Sequence, residues 1–128
     1  MTRILFAIFL VAHGAVHAPI WLAPYGEGAP FDPGHSWLLQ GLGLNGTSAR
    51  ALGIALAMIA FVGFAGAGIG LFARQEWWRA LAVGAAAVSL VLLVGYYHAW
   101  LTLGVAINAG IVLALTWANW PAAEAVGA

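Results

Sequence analysis

Two histidines stand four residues apart in "FLVAHGAVHAPIWLAP", residues 9–24, a run that is otherwise almost entirely apolar. At helical pitch this spacing sets His13 and His17 on one face. An imidazole there can ligate a metal, take an axial position on haem, or hold and pass a proton near neutral pH. Rings at i and i+4 can converge on a zinc or copper ion with a third ligand from His98 or Asp32, and His35 completes the candidate metal set. No glutamate stands between the two histidines, so the HExxH protease pattern is absent. For haem, two axial ligands must approach from opposite sides, so His13 and His17 cannot both serve one ring, and His98 would have to partner His17. In the third reading the pair lines a polar ligand pocket or a proton relay. Beside these stands a purely structural role: a neutral histidine bonding Asn108, Ser89 or a carbonyl of a neighbouring helix, worth about 1 kcal/mol as packing glue.

The elements that must carry these residues follow from composition. Of 128 residues 64% are hydrophobic and 6% charged, where soluble domains carry about 25% charged residues. Mean hydropathy is +0.98. A soluble globular domain is excluded. Four arginines balance four acids, with no lysine, which leaves no basic field for nucleic acid. Without cysteine, disulfides, thiolate metal sites and iron–sulfur clusters are ruled out.

A bilayer core of about 30 Å takes roughly 20 apolar residues to cross as a helix. Four segments qualify, at residues 4–23, 49–73, 77–97 and 101–120, joined by tight turns except for a Gly- and Pro-rich loop over residues 24–48. The expectation is an all-α transmembrane four-helix bundle spanning the whole chain as one domain. A cleaved secretory signal peptide competes for the first segment, since Arg3 precedes an apolar stretch. Pro19 and the apolar run continuing to Ala23 speak against cleavage. Arg3, Arg74 and Arg79 fall at one end and Arg50 at the other, which places both termini in the cytoplasm. Interfacial aromatics are expected at Trp77, Trp78, Trp117 and Trp120 on the inner side, and at Trp21, Trp37, Tyr96, Tyr97 and Trp100 on the outer.

With that threading, His13, His17, His35 and His98 all lie in or above the outer half, and Asn108 and Ser89 come near the depth of His13. Ionisable groups inside a membrane are costly and usually face a bundle interior or a wet cavity. "FDPGHSW" reads as a turn that returns the loop to the membrane, or as a lid carrying Asp32 and His35. "SWLLQGLGL" reads as a short segment lying along the interface. Gly66 and Gly70 form a GxxxG pair suited to close helix approach, either within the bundle or with a homo-oligomeric or larger-complex partner. "RQEWWR" is most simply a turn whose charges are solvated among headgroups.

"HGAVH" in the first helix, "WWRALAVGAAAVSL" opening the third and "GVAIN" in the fourth resemble a group of small four-helix bacterial membrane proteins, and size and topology resemble the DoxX-like superfamily more loosely. The resemblance implies a bacterial inner-membrane bundle and supplies no catalytic residues. The functional expectation is an integral membrane binding or accessory protein with an outward-opening pocket built by His13, His17, Asn108 and Ser89, for a metal ion, a cofactor or a small lipophilic ligand. A proton-coupled transporter, a membrane-embedded acid–base enzyme and a structural subunit are the alternatives.

Overall fold

Four stretches are long and apolar enough to cross a membrane: Thr2–Leu22, Gly46–Phe72, Trp78–Gly95 and Ala99–Thr116. They come from a computed structural model that describes residues 1–127, all of whose regular structure is helical. In each crossing fewer than half of the residues are buried inside the protein. The outward faces are therefore apolar, and only hydrocarbon accepts such a surface without penalty. The protein is a multi-pass membrane protein built as a helical bundle.

The first crossing is made of α1 (Thr2–Ala15) and α2 (His17–Leu22), which break at Val16. The cause lies three residues ahead. Pro19 has no N–H to give the Ala15 carbonyl, and its ring crowds the turn behind it. A one-turn helix α3 (Trp37–Gln40) interrupts the long loop, with Trp37, Leu38, Leu42 and Leu44 exposed on it or just beyond. The second crossing is α4 (Gly46–Phe72) and the third α5 (Trp78–Gly95). A 3₁₀ turn (Ala99–Leu101) leads into α6 (Thr102–Thr116), the fourth crossing, and α7 (Ala123–Val126) closes the described chain.

Packing follows the small residues. Gly14 sits where an added Cβ would come 2.7 Å from the Cβ of Phe64, and at Gly68 one would come 2.8 Å from the Ala7 carbonyl, so α1 and α4 meet backbone to backbone. Gly63, Gly66 and Gly70 of α4 face Ala85, Leu81 and Trp77 in the same way. Of the two uses expected for Gly66 and Gly70, contact within the bundle is the one seen: both face the third crossing and the turn before it. The well-packed neighbours are α1 with α4, α4 with α5, and α5 with α6, while α1 and α6 approach only weakly. The bundle is a curved row of four helices with a loose seam between its first and last members.

Arginines bond main-chain carbonyls at both ends of the bundle. Arg79 on α5 donates to the carbonyls of Leu115 (3.0 Å), in the last turn of α6, and Pro121 (2.8 Å), beyond it. Its guanidinium also lies 5.2 Å from the Trp78 ring. Arg50 on α4 donates to the Ala23 carbonyl (2.9 Å), just past the end of α2. Each places positive charge at the negative end of a helix dipole. Arg79 is therefore a structural clamp and not simply a solvated headgroup charge.

At the loop end, Ser36 and Trp37 pin the long loop to the last carbonyls of α5, through Oγ to Gly95 and Nε1 to Val94, both at 2.6 Å. Trp21, Phe31, Tyr96 and Leu101 form one buried cluster there. Trp21 meets Phe31 and Tyr96 edge to face, at 5.4 and 5.0 Å. The Tyr96 hydroxyl donates to the Ala49 carbonyl, and burial pushes its phenol above the ordinary value, so it remains a donor. Trp21, Tyr96 and, at the other end, Trp78 are buried, which corrects their assignment to interfacial belts. Trp37, Tyr97 and Trp100 at one level and Trp77, Trp117 and Trp120 at the other remain exposed. At the terminal end Val126 of α7 joins Ala7, Leu71, Trp78 and Leu115 in a second core, which holds both termini at the same end of the bundle.

Candidate functional site

His13 and His17 are both buried, and their rings lie 5.7 Å apart, nearly perpendicular. Each reaches a different helix. His13 Nε2 is 3.3 Å from Oδ1 of Asn108 on α6, and His17 Nε2 is 2.8 Å from Oγ of Ser89 on α5. Phe64 of α4 stands edge-on to His13 at 4.8 Å and tilted beside His17 at 6.2 Å. All four crossings therefore meet at one layer: two histidines from the first, the Phe64 ring from the second, Ser89 from the third and Asn108 from the fourth.

The chemistry of the partners assigns the protons. His17 Nδ1 lies 3.1 Å from the Gly14 carbonyl and 3.3 Å from the His13 carbonyl. Carbonyl oxygens only accept, so this nitrogen carries the hydrogen. The two carbonyls belong to the turn where α1 breaks, and the imidazole supplies a donor there. Its Nε2 is then a lone pair, to which the Ser89 hydroxyl donates. On the other side of the pair, Asn108 Nδ2 donates to the Gly104 carbonyl one turn back, at 2.8 Å. That bond turns the amide oxygen toward His13, whose Nε2 must donate. Nδ1 of His13 is left as a lone pair, with no hydrogen bond among the described residues.

A cavity of about 240 Å³ opens beside this layer in the loose seam between the first and fourth crossings. His13, His17 and Asn108 supply its polar wall; Ile20, Leu93 and Ile107 are among its apolar lining. Trp21 and Leu101 join it to the buried aromatic cluster at the loop end. Its exposed rim is Val16, Trp100 and Leu103, at 47%, 61% and 70% exposure. Trp21 is fully buried and its indole N–H has no partner among the described residues. Its Cζ3 and Cε3 edge faces Gly53, where a Cβ would come 2.7 and 3.0 Å away, which leaves the N–H on the far side of the ring. A second hollow of about 380 Å³ continues along the same seam toward the terminal end, sharing Ile107 and lined by Phe6, Phe9, Gly110 and Trp120 among others.

The remaining candidates lie elsewhere. Asp32 is exposed and accepts from the Gly34 N–H at 2.8 Å in a turn of its own, and His35 is exposed beside it. His98 caps the 3₁₀ turn by accepting from the Trp100 N–H at 3.1 Å, with its ring between Phe31 and Trp100. Among the described residues no three of His, Cys, Asp and Glu come together to hold a metal ion. The donor set also fits poorly: both nitrogens of His17 are engaged, which leaves Nδ1 of His13 as the open nitrogen of the pair. A haem ligated by His17 and His98 meets the same obstacle at His17. Sequence reasoning passed over Trp21 and Phe64. The signal for Trp21 was present, since residues 13, 17 and 21 recur at four-residue intervals on one helix face.

Fold and site together define a four-helix membrane bundle with a histidine layer and an intramembrane cavity. No family model matches the sequence, and no curated protein or solved structure matches it either.

Proposed function

We propose that the protein is an integral membrane binding protein whose cavity between the first and fourth crossings takes a small lipophilic molecule. The observation that carries this reading is one buried imidazole with an open lone pair, held in a fixed tautomer, at the edge of a largely apolar cavity of about 240 Å³. Pockets for small molecules combine an apolar lining with a few placed polar groups in this way. A packing role explains His17, whose ring is bonded on both sides, and leaves His13 half explained. The rim of Val16, Trp100 and Leu103 consists of apolar side chains on the outward faces of the bundle, so the reading has the ligand arrive from the bilayer and not from the water above the loop. On this reading the mouth opens sideways, in place of the outward opening expected from the sequence.

The same reading places the protein in a bacterial inner membrane with both termini cytoplasmic. Arg3, Arg74 and Arg79 lie on the side of the termini, and the lone opposing arginine, Arg50, has a structural task at the Ala23 carbonyl. A reporter fused after Ala128 and active only outside the cytoplasm should stay silent; activity would refute the orientation.

The binding reading is tested by mass spectrometry of molecules retained after gentle extraction, comparing the wild-type protein with Val16→Trp, which plugs the mouth from an exposed position. A lipophile retained by the wild type and lost in the variant supports it. Equal retention by both, or none by the wild type, refutes it and favours the subunit or transporter alternatives.

A further inference from the structure

The proton assignments in the histidine layer restrict what the cavity can hold. The Asn108 amide is fixed by its bond to the Gly104 carbonyl, and its oxygen keeps the His13 proton on Nε2. His17 cannot exchange roles with it, because two carbonyls hold its own proton on Nδ1 while Ser89 fills Nε2. What His13 has left to offer a molecule in the cavity it lines is therefore an acceptor, Nδ1, on a residue only 8% exposed. Among the described residues no arginine and no acid lines the cavity, so a charged head would enter without a counter-charge, at a cost of several kcal/mol in a dry site.

We propose that the ligand is a neutral alcohol or phenol, a lipophile whose hydroxyl donates to Nδ1 of His13 while its hydrocarbon part packs on Ile20, Leu93 and Ile107. The inference rests on the binding reading above and names the ligand class of the same site. Ketones, ethers and esters bring only acceptors, which leave Nδ1 unpaired, and the Trp21 N–H, shut away inside the aromatic cluster, is out of their reach. A polar site of this kind discriminates well, because the wrong ligand strands a buried group. The volume suits one ring with a short chain.

Para-propylphenol and its methyl ether, para-propylanisole, differ in little but the donor. Titrated into the protein in detergent micelles, the phenol should lose about tenfold in affinity on His13→Phe, which corresponds to one buried hydrogen bond, while the ether stays unchanged. Comparing each probe between the two proteins cancels its partition into the micelle. Nitrogen NMR of the histidine-labelled wild type gives a second reading that needs no variant. His13 should show the Nε2–H tautomer, and its Nδ1 resonance should move on adding the phenol and not the ether. If both probes bind the wild type with equal response at His13, the donor requirement is overturned and the cavity reading stands. An Nδ1–H tautomer at His13 also overturns the donor requirement. If neither probe binds, both readings fall.

Discussion

His17 and Ser89 are 72 positions apart in the chain, and Nε2 of one accepts from Oγ of the other at 2.8 Å in the middle of the bundle. The bond ties the first crossing to the third across the width of α4. It depends on the break at Val16, where the Gly14 and His13 carbonyls take the other ring nitrogen and so fix which side of the imidazole faces Ser89. Ser89→Ala leaves a buried lone pair unpaired. A double-mutant cycle of Ser89→Ala and His17→Phe, read by reversible unfolding in detergent, should give a coupling of about 1 kcal/mol, near the values measured for bonds between membrane helices. Additive effects would show that the bond contributes nothing.

Asn108 closes the seam that packing leaves loose. Asn108→Leu preserves size but loses the bonds to His13 and to Gly104, at an expected cost of about 1–2 kcal/mol. The same variant frees His13 to change tautomer. In the NMR experiment its His13 should populate both ring-proton forms; an unchanged single form would mean that something other than Asn108 sets it.

Gly53 is where the roof of the cavity meets α4. An added Cβ would come 2.7 Å from Trp21 Cζ3 and 3.2 Å from Tyr96 Cζ, and neither ring can retreat from the edge-to-face cluster. Gly53→Ala should therefore cost about 1–3 kcal/mol by overpacking and alter the Trp21 environment in fluorescence. Gly84→Ala and Gly110→Ala meet no atom within 4 Å. These two should be neutral or stabilising by up to about 1 kcal/mol, as expected for removing glycine from a helix interior. Equal losses at all three positions would contradict the packing described.

Arg79 should not be replaceable by lysine. Its guanidinium spans two carbonyls, of Leu115 and Pro121, that one ammonium cannot reach together with the same geometry. Arg79→Ala is expected to cost about 1.5–3 kcal/mol, the range for bonds to charged groups, and Arg79→Lys to recover less than half of it. Full recovery in the lysine variant, measured by thermal unfolding, would reduce the residue to a headgroup charge.

Much of the fold could be read from the chain, because lipid imposes one rule on every crossing: a long apolar helix. The expected segments at residues 49–73 and 77–97 lie within three residues of α4 and α5 at each boundary. The break at Val16 was not legible, since the proline that causes it acts on a carbonyl four residues back. Nor was the use of Gly66 and Gly70, because a stripe of small residues fits any helix and only the threading shows that Leu81 and Trp77 lie against it. For the site, the spacing of His13 and His17 put both rings on one face. Which helix each would meet depended on depths in α5 and α6 that shift by a full turn with small errors at the boundaries. The arginine clamps escaped notice for a related reason. Their acceptors are main-chain carbonyls, which every residue has.

The link from His13 to Asn108 joins the first described crossing to the fourth, and two further crossings are made between them. While the middle helices are being synthesised, α1 can already settle on α4, but its imidazole has no amide to meet and the cavity has only one wall. The cavity wall is therefore complete only once α6 has been delivered. A chain halted before Asn108 would leave the His13 imidazole without its amide partner in the bilayer, where an unpaired polar group is costly.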